Sequence, residues 1–258
     1  ADPFFLCVNF IKPHFPYASP RRHHDLFRPE DMQLPGNAHD WEDTPECNQR
    51  WAEKDLADPV IQRKAKELMA DYYAAVSHAD ECVGLVIEQL RERGLWDNTI
   101  VVYTTDHGEM LFHHGLVQKF VFYDESARIP LIIRAPALPQ ERRGQSTEAL
   151  TDLTDLLPTC LSLCGLGAEE ALDGVDLSPV LRGKCEQVRQ ECYSIIGPRA
   201  MIRTERWKLC HYPKDEWQLF NCEADPAENT NLYNATCRDQ EIVSLRSRLL
   251  RWQERSAE

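Results

Sequence analysis

Residues 99–104, Thr99-Ile100-Val101-Val102-Tyr103-Thr104, constrain the fold more than any other stretch of the chain. The run is β-branched or aromatic with no polar alternation, the pattern of a strand buried on both faces. Such a strand needs layers of structure above and below it, and the sequence offers a helix directly upstream. Asp58 and Pro59 read as an N-cap and a proline at the first helical position. Ile61, Ala65, Leu68, Tyr72, Val76, Ala79, Val83, Val86 and Leu90 follow at spacings of three and four, one apolar stripe that stops at Gly94. Near the start of the chain, Phe4-Phe5-Leu6-Cys7-Val8-Asn9-Phe10 reads as another buried strand. Strand, long helix and buried strand predict an α/β layered fold with a mainly parallel sheet.

Between the first strand pattern and the helix, Pro13, Pro16, Pro20, Pro29, Pro35 and Pro45 block regular structure. A loop of that length in a compact domain is usually functional. Leu131-Ile132-Ile133 is a third short strand closed by Ala135-Pro136, and residues 153–163 read as a helix ended by Gly165. From Cys192 onward the pattern turns to short strands at 200–204, 207–212 and 218–220, followed by an amphipathic helix over 239–252. The expected division is an α/β portion over residues 1–185 and a small C-terminal α+β subdomain over 186–258.

A formal net charge of -13 argues against a general nucleic-acid or anionic-membrane binder, which needs a basic face. An anionic substrate would then have to meet cations supplied locally by its pocket. No run approaches the roughly 18–20 apolar residues that span a bilayer. Of the ten cysteines, Cys7, Cys82, Cys160 and Cys164 are expected as free buried thiols. Cys185, Cys192, Cys210, Cys222 and Cys237 are disulfide candidates whose pairing the sequence leaves open. Asn234-Ala235-Thr236 is a glycosylation sequon.

The sharpest chemical feature is Thr105-Asp106-His107-Gly108-Glu109-Met110, directly after the buried strand. Ligands gather at the carboxyl ends of strands in parallel sheets. A carboxylate beside an imidazole, followed by a glycine that permits a sharp turn, offers two ligands to a divalent cation. Lys119, thirteen positions after Asp106, could donate to an anion's oxygens. His14, in Lys12-Pro13-His14-Phe15-Pro16 after the first strand pattern, could bind the same anion or protonate a departing alkoxide.

Several stretches taken in order resemble the sulfatase family of the alkaline-phosphatase superfamily. They are Phe4-Phe5-Leu6 with Lys12-Pro13-His14-Phe15-Pro16, and Tyr72-Tyr73-Ala74-Ala75-Val76-Ser77 with Asp80 and Val83-Gly84. Next come Thr105-Asp106-His107-Gly108-Glu109-Met110-Leu111, His114-Gly115, Lys119, Tyr123-Asp124-Glu125-Ser126 and Arg128-Ile129-Pro130-Leu131-Ile132. Arg203-Thr204-Glu205-Arg206-Trp207-Lys208-Leu209 and Leu219-Phe220-Asn221 with Asp225-Pro226-Ala227-Glu228-Asn229 complete the series. His113 departs from the pattern, which carries glutamate there.

The resemblance implies an alkaline-phosphatase-like α/β/α sandwich, present in part, with a smaller C-terminal antiparallel β lobe and a terminal helix. It implies a sulfuric ester hydrolase acting on a sulfated small molecule or glycan. Asp106 and His107 align with metal ligands, for calcium first and magnesium or manganese as alternatives. Lys119 and His14 align with residues that contact the sulfate group, His14 as the proton donor to the leaving oxygen. The family's formylglycine forms within a C/S-x-P-x-R motif, and no cysteine or serine here stands in that context. The nucleophile and two further metal carboxylates are therefore expected from a missing N-terminal half, and this chain alone is expected to be inactive. Basic Arg21, Arg22, His23 and His24 could line the pocket. A phosphonate-monoester or phosphodiester hydrolase of the same superfamily, or a non-catalytic sulfatase-like module, are the alternatives. The cysteine count and the usual place of sulfated substrates lean towards the periplasm, the lysosome or the cell exterior.

Overall fold

A computed structural model describes residues 2–167 and 170–256. The elements in chain order are α1 (Arg21–His24), α2 (Pro59–Glu92), β1 (Val101–Thr104), α3 (Asp124–Ala127) and β2 (Leu131–Arg134). Then follow α4 (Leu156–Leu163), α5 (Ser178–Leu181), β3 (Glu191–Ile196), β4 (Arg199–Thr204), β5 (Trp207–Tyr212), β6 (Glu216–Asn221), α6 (Tyr233–Thr236) and α7 (Gln240–Arg255).

α2 is one unbroken helix of 34 residues, about 50 Å long at 1.5 Å per residue. Its start is the one the sequence predicts: the Asp58 carboxylate accepts from the Val60 and Ile61 N–H groups, and Pro59 occupies the first turn. Gly94, in the left-handed region at φ 66°, ends it. Ala65, Met69, Ala70, Ala74 and Ala75 are buried, the first three among Met32, Ala38, Leu56, Leu111 and Phe112. Farther along, the predicted stripe keeps its phase but Ala79, Val83, Val86 and Leu90 are only half-buried.

The first sheet departs from expectation. β1 and β2 pair antiparallel, with Val101 opposite Arg134 and Thr104 opposite Leu131, and no parallel ladder forms among the described residues. Residues 4–10, read from sequence as a buried strand, belong to no strand, and Phe5 is 91% exposed. Among the described residues the 4–10 segment joins no ladder with β1. β1 therefore has one partner, and the cross-strand residues Tyr103 and Ile132 stand 39% and 63% exposed instead of buried.

The C-terminal lobe matches its sequence pattern closely. β3 to β6 form an antiparallel meander in sequence order, and α7 covers one face. Ala200, Ile202, Leu209 and Leu219 alternate onto that face to meet Ile242, Leu245 and Leu249. The intervening residues Met201, Cys210, Tyr212 and Phe220 point the other way, against Phe122, Met110, Val121 and Tyr123. The second face of this sheet is thus the floor on which residues 119–124 rest, and that segment carries Lys119.

All ten cysteines are free, which corrects the disulfide expectation. Cys192 on β3 and Cys210 on β5 are separated by β4, about 9–10 Å at normal strand spacing and beyond disulfide reach. Cys7 and Cys164 are exposed and not the buried thiols expected.

Candidate active site

His14 from the start of the chain, the adjacent pair Asp106 and His107, and Lys119 converge where β1 ends. Lys119 Nζ donates to His14 Nε2 across 105 positions. The His14 and His107 rings stand 6.0 Å apart at 65°. Asp106 Oδ2 lies 3.6 Å from His107 Nε2, and the Asp106 carboxylate also accepts from the His107 N–H at 3.1 Å.

The hydrogen-bond partners orient both imidazoles. His107 Nδ1 donates to Gly108 O at 2.8 Å, which leaves Nε2 as a lone pair beside the Asp106 carboxylate. An oxygen and an imidazole nitrogen side by side, the ring fixed through its other nitrogen, are a donor set that suits a divalent cation. Among the described residues no cluster of three or more His, Cys, Asp or Glu side chains could hold a metal, so Asp106 and His107 supply at most part of a coordination sphere. His14 Nδ1 donates to Phe15 O at 2.8 Å, so its Nε2 lone pair is what meets Lys119.

Gly108 serves close packing, not the sharp turn expected. A Cβ built on it falls 2.0 Å from the Glu125 carbonyl oxygen, and its N–H donates to Ser126 O at 2.8 Å. Gly108→Ala must push apart β1's exit and the start of α3. We expect a loss of about 2–3 kcal/mol, read as a lower urea midpoint; a shift under about 0.5 kcal/mol would mean the backbone absorbs the methyl freely.

Glu109 is a residue the sequence reading passed over. Its Oε1 accepts from the N–H groups of Leu111 and Gln118. Arg199, from β4, donates to Phe120 O at 2.6 Å and to Asn48 Oδ1 at 3.2 Å. Lys208, from β5, donates to Phe122 O at 3.0 Å and pairs with Asp124 and Glu228. Arg199 and Lys208 reach backbone carbonyls 79 and 86 positions away, and Glu109 ties N–H groups within its own loop, which no local pattern announces.

The basic residues expected along the pocket wall are used otherwise. Arg22 and His23 bond Glu81 at 2.8 and 2.6 Å, and His24 lies 3.3 Å from Asp71, so they dock the proline-rich loop on α2. Arg21 lies 3.8 Å from Asp25. His113, which had no expected role, lies 3.0 Å from Glu125.

His114 is buried against Tyr123, rings 4.0 Å apart, and its Nε2 faces Asn37 Nδ2 at 3.3 Å. Burial holds its pKa below the ordinary 6.5, partly offset by Glu125. The unfolded chain then binds a proton that the folded chain refuses, so stability falls as pH drops below 6.5, by at most about 1.4 kcal/mol per pH unit. Glu125 acts in the same direction at lower pH. Burial pushes it up, but the His113 hydrogen bond and its own backbone N–H leave its pKa below 4.5, so its contribution fades as pH falls through that lowered value. Urea midpoints measured between pH 5 and 7.5 should decline towards acid, and His114→Gln should flatten the upper part of that decline. An unchanged slope in the variant would remove His114 from the account.

Asp106, His107, Lys119 and Phe120 line one trough of about 2110 Å³ that runs past β2 to Arg203 and Trp252. Small-molecule pockets are roughly 300–1,000 Å³, so the trough exceeds what a ligand alone fills.

The family described as Sulfatase matches residues 1–166, and that described as N-sulphoglucosamine sulphohydrolase, C-terminal, matches residues 112–255. The choline-sulfatase of Rhizobium meliloti is 33% identical over 244 residues, 89% of this chain and 46% of that protein. The arylsulfatase of Clostridium perfringens is 29% identical over 258 residues, 97% of this chain and 53% of its own length. The chain thus spans about half the length of these relatives. The phosphonate monoester hydrolase of Silicibacter pomeroyi superposes with a TM-score of 0.81 at 27% identity, covering 95% of this chain and 55% of that one. A structure solved in complex with its substrate D-glucosamine-2-N,6-O-disulfate gives a TM-score of 0.76 at 25% identity, over 95% of this chain and 63% of that one. The fold is accordingly the alkaline-phosphatase-like fold of these neighbours.

Proposed function

The chain belongs to the sulfatase family, and from that premise we propose that it supplies the C-terminal part of a hydrolase for sulfate monoesters. The observation that carries this reading is the meeting of His14, Asp106, His107 and Lys119 at one mouth.

Asp106 and His107 would hold a divalent cation, calcium first with magnesium or manganese as alternatives, whose charge would stabilise negative ester oxygens. The attacking group, a formylglycine, would come from an upstream segment of a longer protein. Lys119 spends one hydrogen on His14 Nε2 and keeps two for sulfate oxygens, where it offsets charge as the ester bond breaks. When protonated at Nε2, His14 would give that proton to the departing alkoxide and return to the neutral ring whose Nε2 accepts from Lys119, which stays charged throughout. The Nδ1 bond to Phe15 O keeps that ring in place.

The apolar 4–11 segment and the face at Tyr103 and Ile132 are read as surface that the upstream half covers. The 258-residue chain alone is then expected to turn over no ester and to associate through this surface. No described helix is long and apolar enough to cross a membrane.

A second reading is favoured by the 0.81 superposition on a phosphonate monoester hydrolase: the same groups could serve a phosphonate ester. Both are tested with the longer polypeptide, comparing 4-nitrophenyl sulfate with 4-nitrophenyl phenylphosphonate. A kcat/KM at least about tenfold higher on the sulfate, 1.4 kcal/mol of discrimination, supports the first reading. The reverse order supports the second. Hydrolysis of neither ester would leave a non-catalytic module as the better account.

A further inference from the structure

We propose that Phe120 is a specificity-determining residue, its ring the platform that receives the sugar or aryl ring carrying the sulfate. This rests on the reading that Lys119 binds the sulfate group.

Phe120 opens an apolar run, Phe120-Val121-Phe122-Tyr123, in which the last three are 1–3% exposed and Phe120 is 39% exposed. The exception sits beside Lys119 and lines the same trough as Asp106 and His107. Consecutive side chains of an extended strand point to opposite faces. Here Lys119 Nζ lies 5.5 Å from the centre of the Phe120 ring, so the two share a side.

Left-handed backbone on both sides of Lys119 produces that arrangement. Gln118 has φ 66° and Phe120 φ 77°, a conformation that costs any residue but glycine. Anchors on either side hold it. Glu109 accepts the Gln118 N–H, Met110 donates to Gln118 O at 2.8 Å, and Arg199 donates to Phe120 O at 2.6 Å. Outlying backbone that its surroundings over-determine is typical of ligand sites.

The ring is backed as well as aimed. Trp51 stacks on it at 5.5 Å and 24°, Arg50 lies over Trp51 at 4.9 Å, and Val117 N–H ties Trp51 O at 3.0 Å. A rigid apolar face next to an anion-binding ammonium fits a sulfate attached to a ring, which can lay its flat face on Phe120. An aromatic ring also attracts quaternary ammonium groups. Two cations, Lys119 and Arg50, already flank this stack, which disfavours a cationic substrate such as choline sulfate.

The test compares 4-nitrophenyl sulfate with choline sulfate in the longer polypeptide. Phe120→Ala should lower kcat/KM on the aryl ester about tenfold, chiefly through KM, and leave choline sulfate within about threefold. Phe120→Tyr, which keeps a ring, should restore the aryl preference. Equal losses on both esters, or no loss on the aryl ester, would overturn the assignment while leaving the sulfatase reading intact. If the unsubstituted protein hydrolyses neither ester, the sulfatase reading fails and the assignment falls with it.

Discussion

Replacing Lys208 with methionine is expected to cost the chain about 3–5 kcal/mol of stability, the usual penalty for removing one partner of a buried ion pair. Lys208 is buried on the floor beneath residues 119–124, paired with Asp124 and Glu228, and it donates to Phe122 O at 3.0 Å. Burial acts to lower its pKa, but the Glu228 and Asp124 carboxylates outweigh that and keep the ammonium charged. Glu228, itself buried and pushed up by burial, also accepts the Asp124 N–H at 2.8 Å. Methionine fills the volume and leaves two carboxylates facing each other without a cation. Thermal unfolding should report a fall of about 10 °C, at 2–4 °C per kcal/mol for a chain of this size. Adding Glu228→Gln should recover part of it, because the two sites share one network. A loss under about 1 kcal/mol in Lys208→Met would show that the trio is not what fastens the loop to the sheet.

In the longer polypeptide, Lys119→Ala is expected to lower kcat/KM on a sulfate ester by about 10²–10³, the scale seen when one preorganised charge-stabilising donor is removed. The loss should fall mainly in kcat, because the ammonium is asked to act on charge that grows as the ester breaks. Folding should barely change, since Lys119 touches only the exposed side chains of His14 and Phe120. Lys119→Ala activity within about threefold of the unsubstituted enzyme would remove Lys119 from the chemistry.

The sequence announced what is local. The Asp58 cap, the proline after it and the glycine after the helix define α2 with no tertiary information. Short runs bounded by turns marked β4, β5 and β6, whose residues divide between a face on α7 and a face on the loop, while β3 went unmarked. Pairing is a property of two segments, and there the reading failed. The 4–10 run is apolar enough for a central strand, yet apolarity does not say which neighbour supplies its hydrogen bonds. The same holds for Cys192 and Cys210, which strand order keeps apart, and for Arg22, His23 and His24, whose partners lie on α2. Asp106, His107, Lys119 and His14 were legible through motif resemblance, and the structure brings them together. Glu109, Arg199 and Lys208 were not, because their work is done on backbone groups and loops that only folding brings near.

Calorimetric titration of calcium into the longer polypeptide, beside its Asp106→Ala variant, tests the central claim most directly. The account predicts saturable binding that Asp106→Ala abolishes, with the 258-residue chain alone binding far more weakly, since its described residues gather no group of three or more donors that could hold a metal. Failure of the longer polypeptide to bind any divalent cation, or binding indifferent to Asp106→Ala, would contradict the assignment of this site to metal-assisted ester hydrolysis.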